Sequence, residues 1–99
     1  MSYWVRYTKA ARDELEQLYG FLLDQDLARA RRARIAIGKA MEFLRDFPFA
    51  CRKAAPDNPF LRELLIPFSS GGYVVFFEIE SKVVVTILAV RHQREDDYH

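Results

Sequence analysis

The side chains best suited to chemistry gather at the end of the chain, in Arg91-His92-Gln93-Arg94-Glu95-Asp96-Asp97-Tyr98-His99. With an unperturbed pKa of about 6.5, His92 and His99 are the residues able to exchange a proton near neutral pH without a large shift, and Arg91 and Arg94 add fixed positive charge beside them. The run follows Val83 to Val90, a continuous apolar stretch that predicts a strand buried on both faces, so the polar residues emerge together at the sheet's edge. Structural duties compete for the same residues. His92 can bond backbone groups at a strand end, Arg91 can pair with Glu95 or Asp96, and Tyr98 can pack under the sheet edge. Arg62, in an alternating stretch, can form a cross-strand pair with Glu78 or Glu80.

Other chemistries lack their residues. The two histidines lie seven positions apart and Asp96 and Asp97 are adjacent, which is no metal-ligand spacing, so no metal is expected. Gly71-Gly72 lacks the lysine and helix start of a phosphate-cradling loop, and no cofactor is expected. Cys51, the single cysteine, cannot form an internal disulfide. Arg52 and Lys53 could lower its pKa, but a lone thiol in a helix-to-strand connection reads as a buried or bystander group.

These residues need a scaffold, and 99 residues predict one domain with a modest core. Tyr3-Trp4-Val5-Arg6-Tyr7 fits a short strand, and Thr8 offers a helix N-cap. Ala11, Leu15, Leu18 and Leu22, reinforced by Tyr19 and Leu23, fall at helical spacing, while Asp13, Glu14, Glu16 and Gln17 point elsewhere. Asp24-Gln25-Asp26 interrupts the helix, and Asp26 can cap a second one with Ile37, Ala40, Met41, Leu44 and Phe47 as its apolar stripe. Pro48 stops it. So short a link forces an antiparallel helical hairpin whose apolar side must cover a sheet. Residues 48 to 59, with Pro48, Pro56, Asp57, Asn58 and Pro59, read as an irregular connection. Strand patterns then run from Leu61 to Phe68, Tyr73 to Glu80 and Val83 to Val90, separated by Ser69-Ser70-Gly71-Gly72 and Glu80-Ser81-Lys82, and predict an antiparallel meander. The fold class is α+β, in the order β-α-α-β-β-β, with the hairpin packed on a small, largely antiparallel sheet.

Net charge is +1, which argues against a general nucleic-acid coat, yet residues 1 to 54 carry eleven Lys and Arg against seven acids and residues 55 to 99 carry four against seven. Arg29, Arg31, Arg32, Arg34 and Lys39 run without an acid between them. They form either the solvated side of a helix or a docking face for an acidic partner or a phosphate backbone. No apolar stretch reaches membrane-spanning length, and Met1-Ser2-Tyr3-Trp4 lacks a signal peptide's apolar core, so no membrane partner is expected and the expected compartment is the cytoplasm.

The element order, together with Arg62-Glu63-Leu64, Gly72-Tyr73-Val74-Val75-Phe76-Phe77-Glu78-Ile79 and Val85-Thr86-Ile87-Leu88-Ala89-Val90-Arg91-His92-Gln93-Arg94, resembles the RelE/ParE toxin superfamily over nearly the whole chain. The final strand running into Arg91-His92-Gln93-Arg94-Glu95 looks like the ParE, or plasmid-stabilisation, branch. The resemblance implies the toxin of a type II toxin-antitoxin module, held by a ParD-like antitoxin whose C-terminal segment wraps its surface. Arg29, Arg31, Arg32, Arg34 and Lys39 suit the antitoxin-binding role. Two activities occur in the superfamily. ParE-like members inhibit DNA gyrase by binding it, and for that activity Arg91, His92 and Arg94 are the expected target-binding residues. RelE-like members cut messenger RNA on the ribosome, which would recruit His92 as base or acid, Arg91, Arg94 and Arg62 as phosphate clamps, and Tyr98 or His99 as a second proton donor; direct nucleic-acid binding is expected only here. In RelE-like nucleases the Gly-Tyr strand commonly continues with an arginine, where this chain reads Gly72-Tyr73-Val74-Val75. The expectation is therefore a gyrase inhibitor without a catalytic constellation. The alternatives are a metal-independent, ribosome-dependent endoribonuclease and a non-toxic antitoxin-binding module.

Overall fold

The computed structural model describes residues 2–69 and 71–93. Its elements are β1 (Trp4–Tyr7), α1 (Lys9–Gln25), α2 (Leu27–Asp46), a single 3-10 turn (Pro48–Ala50), β2 (Arg52–Ala55), β3 (Asn58–Phe68), β4 (Gly71–Ile79) and β5 (Val84–His92). The sheet order is β1-β5-β4-β3-β2. Only the β1–β5 pairing is parallel, and β2 through β5 run antiparallel. The α+β class, the helical hairpin and the largely antiparallel sheet are as the sequence predicts.

Both helix starts follow from short polar side chains that accept from orphan backbone donors. Thr8 Oγ1 accepts from Ala11 N at 3.1 Å, and Asp26 Oδ1 accepts from Ala28 N at 2.9 Å. The link between the helices is Asp26 alone, in an extended conformation, so α1 continues through Asp24 and Gln25 rather than ending before them. Ala30 and Ala33 face Leu22 with too little bulk to hold the two axes apart. The main core lies between the hairpin and one face of the sheet. Ala11, Ile37, Met41 and Leu44 meet Tyr73, Val75, Phe77 and Ile79 of β4 and Val85, Ile87 and Val90 of β5.

Other local expectations fail. Residues 52–55 form a strand rather than part of an irregular connection. The Pro56-Asp57 turn brings Ala55 opposite Asn58, so its turn residues close a hairpin. β3 accordingly starts at Asn58, with Pro59, which has no N–H to donate, beside the register shift between Lys53 and Ala55. Phe47 leaves the apolar stripe: the helix ends at Asp46, and Phe47 is exposed with its ring 5.5 Å from that of Phe43. Leu23 also faces solvent. Glu14, by contrast, is half-buried and turned inward.

Candidate functional site

The site is built where β5 outruns its parallel neighbour. β1 ends opposite Ile87, and the chain turns into α1 through Thr8, whose N–H donates to Ile87 O at 3.0 Å and whose hydroxyl donates to Leu88 O at 3.4 Å. Beyond that point, among the described residues, no strand lies on the β1 side of β5. Glu14 takes the strand's place: its Oε1 accepts from Val90 N at 3.0 Å. Its other oxygen lies 3.8 Å from Arg91 Nε, an ion pair too long to be a hydrogen bond. Arg91 is further held by the ring of Phe76, whose centroid is 5.9 Å from its guanidinium carbon.

His92 sits opposite Tyr73, edge-on to its ring at 5.7 Å, and Tyr73 stacks on Phe68 at 5.6 Å. The glycines serve this end of the sheet by leaving room rather than by making the turn. A Cβ on Gly71 would lie 2.9 Å from His92 Cε1. At Gly72, where φ is +148°, one would lie 2.6 Å from Ile66 O and 2.8 Å from Gln93 Oε1. Burial pushes the Tyr73 hydroxyl above its ordinary pKa, and the nearby Arg29 guanidinium pulls in the opposite direction.

Arg29 and Arg91 open onto a cleft of about 430 Å3 between α1, the start of α2 and the end of β5, with Leu18, Phe21, Leu22 and Val90 as apolar wall. The Arg29 side chain lines the cleft, and its Nε is buried without a hydrogen-bond partner among the described residues. The other basic residues of α2 do not share its position. Five residues along the helix, or about 140° around it at 3.6 residues per turn, Arg34 lies over the ring of Tyr19, 5.5 Å from its centroid. Arg31, Arg32 and Lys39 are exposed. The basic run therefore spreads around α2 instead of making one face.

Of the remaining expected site residues, Arg94, Tyr98 and His99 lie outside the described residues. Arg62 is drawn away. Its Nε donates to Pro59 O at 2.6 Å, its Nη1 donates to Cys51 O at 2.8 Å and Phe49 O at 3.3 Å, and its plane lies over the Phe49 ring. It makes no cross-strand pair with Glu78 or Glu80; Glu80 pairs with Arg6. Ile66 is the β3 residue level with Tyr73 and His92, and Arg62 stands four residues away, about 13 Å along the strand at about 3.3 Å per residue. It cannot share a site with His92. Cys51 is buried, and burial raises its thiol pKa against the weaker opposing pull of Arg62, which leaves a protonated thiol rather than a nucleophile. Among the described residues no three His, Cys, Asp or Glu side chains gather to hold a metal, and no helix is long and apolar enough to cross a membrane.

Glu14 and Tyr73 are the members of the site that composition and motif did not single out. A signal for Glu14 existed: at three residues from Ala11 and four from Leu18, it lies on the border of the buried stripe.

A helical hairpin laid on one face of a five-stranded mixed sheet, with a polar cluster where β5 emerges, defines the class of small α+β proteins with the ParE-like fold. A solved structure described as "Chromosomal ParDE TA system from P. aeruginosa" is similar, with a TM-score of 0.68 over 92% of this chain and 96% of that one at 15% identity, a likeness of fold. No curated protein matches the sequence. The sequence model of the family described as "ParE toxin of type II toxin-antitoxin system, parDE" matches residues 5–97, and the chain belongs to that family.

Proposed function

We propose that the chain acts as a one-domain toxin that inhibits DNA gyrase by binding it, and that a cognate antitoxin neutralises it in the cytoplasm. Family membership supports the toxin-antitoxin part of the reading. The observation that carries the choice of a binding inhibitor over a nuclease is the state of Arg62: its guanidinium is taken up by three backbone carbonyls, far from His92, and is not available as a phosphate clamp. Arg91 and His92 instead stand together at the strand exit, beside Glu14 and Phe76 in one case and Tyr73 in the other, as suits a protein-recognition surface with Arg94 following in sequence. Exposed Arg31, Arg32 and Lys39, together with Arg29 and Arg34 at the flanks of α2, offer an acidic antitoxin segment positive charge along the hairpin.

The test is purified chain in a gyrase supercoiling assay beside a translating-ribosome messenger RNA cleavage assay. Loss of supercoiling with intact message is the expected result, and it should fade in Arg91→Ala. Cleaved message with gyrase fully active would overturn the reading in favour of the endoribonuclease. Neither activity, in a chain that still captures an antitoxin, would leave an interaction module without toxicity.

A further inference from the structure

We propose that the cleft between the hairpin and the exit of β5 is a receptor for a glutamate or aspartate side chain flanked by apolar residues, presented by an extended segment of the antitoxin; the partner's identity rests on the reading above. The first observation is Arg29. It stands in the first turn of α2, where the helix dipole disfavours a cation, and no acidic residue accompanies it in that turn. Its Nε is buried with no acceptor, and no ion pair compensates it among the described residues. A buried guanidinium donor left unpaired costs free energy that an incoming carboxylate recovers, with two-point geometry available from the planar fork.

The second observation is the charge balance of the cleft. Among the described residues that line the cleft, Arg29 and Arg91 face one acid, Glu14, which is already engaged by the Val90 N–H and by Arg91 itself. An anion is the complementary occupant. The third is the wall. Leu18 and Phe21 line the same cleft together with Leu22 and Val90, and Phe21 is 62% exposed. A free phosphate would meet the guanidinium and leave this wall in water. A peptide whose acidic side chain sits between apolar neighbours meets both, and about 430 Å3 falls within the usual range of ligand clefts, about 300–1,000 Å3.

The experiment uses the full chain labelled with 15N and follows the Arg29 Nε–Hε resonance directly. The probes are the capped peptide acetyl-Leu-Glu-Leu-amide, its Gln counterpart and inorganic phosphate. The Glu peptide should move the Arg29 resonance and the Phe21 ring signals saturably, and the Gln peptide should bind about tenfold more weakly, as loss of one charge-assisted contact implies. Arg29→Gln should reduce Glu-peptide affinity by a similar factor, and Arg29→Lys, which keeps the charge without the fork, should fall between. An unmoved Arg29 resonance at saturating Glu peptide, equal binding of the Gln peptide, or tighter binding of phosphate would each overturn the receptor. An antitoxin that binds wild type and Arg29→Gln equally well would also overturn it while leaving the antitoxin reading intact. A chain that captures no antitoxin, yet whose Arg29 titrates with the Glu peptide, would refute the antitoxin reading and keep the acidic-peptide site.

Discussion

Glu14 stands in for a missing strand, and removing it separates two contributions that coincide in one side chain. Glu14→Ala deletes the acceptor of the Val90 N–H, a partly buried charge-assisted hydrogen bond at 3.0 Å, and with it the ion pair to Arg91. A hydrogen bond to a charged group contributes about 1.5–3 kcal/mol, and a site this open warrants the lower end of that range. The ion pair, between side chains 53% and 31% exposed at 3.8 Å, adds at most about 0.5 kcal/mol. Alanine returns a few tenths through better helix propensity, so the net loss is about 1–1.5 kcal/mol. Glu14→Gln keeps a neutral acceptor in place and should lose about 0.5–1 kcal/mol. Urea unfolding followed by far-ultraviolet circular dichroism reads the difference; Trp4, 77% exposed, is a poor fluorescent reporter of the core. With a slope of about 1–2 kcal/mol/M, the midpoint of the alanine variant should fall by about 1 M, and hydrogen exchange at Val90 should quicken selectively. If Glu14→Ala were as harmless as Glu16→Ala, or if Gln were as damaging as Ala, the carboxylate would not be acting as the edge partner of β5.

The same reasoning reaches other positions. Arg62→Ala should cost about 1–2 kcal/mol in urea unfolding, and Arg62→Lys should recover little of it because an ammonium cannot span the carbonyls of Pro59 and Cys51 together; a neutral lysine variant would refute the clamp. Gly72→Ala should lower stability by more than about 1 kcal/mol, since both the positive φ and the carbonyl of Ile66 oppose a Cβ, and unchanged thermal unfolding would count against it. Tyr73 has a raised pKa in the folded chain, as do Tyr7 and Tyr19, so their contribution to stability is complete below pH 10.0 and is lost as pH rises through the folded values. Tyr73→Phe should accordingly flatten the alkaline fall in the unfolding midpoint, and an unchanged slope would refute the assignment. Cys51 should react with a disulfide reagent in the native state far more slowly than a free thiol, at a rate that continues to rise with pH past 9.0 instead of levelling off there; fast labelling at neutral pH would contradict its burial.

The scaffold was legible because its signals are local. Thr8 and Asp26 announce helix starts, the stripe from Ala11 to Leu22 announces a buried face, and Val83 to Val90 announces a strand inside the sheet rather than at its edge. β2 was not legible, because Arg52-Lys53-Ala54-Ala55 has neither alternation nor β-branched residues and becomes a strand only by pairing with β3. The candidate site divides in the same way. Arg91 and His92 were marked by their place at the end of an apolar run. Arg62 carried the same chemical promise, and only tertiary placement reveals that three carbonyls have claimed it. Arg29 differs from Arg31 and Arg32 by helical phase: four residues from Ala33 and eight from Ile37, it lies on the border of the buried stripe near Tyr73, while Arg31 and Arg32 are exposed.

Arg91 joins the two readings of this surface. It belongs to the strand exit proposed to meet the target and also to the cleft proposed to take an acidic side chain. One guanidinium, tethered by Glu14 and resting on Phe76, cannot present itself to both. Neutralisation then needs no rearrangement of the fold. A carboxylate in the cleft would draw Arg91 into its own charge network, and the segment bearing it would lie across the approach to His92, so toxin held by antitoxin should compete directly with toxin held by target. Competition of that kind is measurable as a loss of gyrase inhibition that rises with antitoxin and is overcome by excess gyrase. Inhibition lost to the same extent at every gyrase concentration would place the two partners on separate surfaces and remove Arg91 from at least one of them.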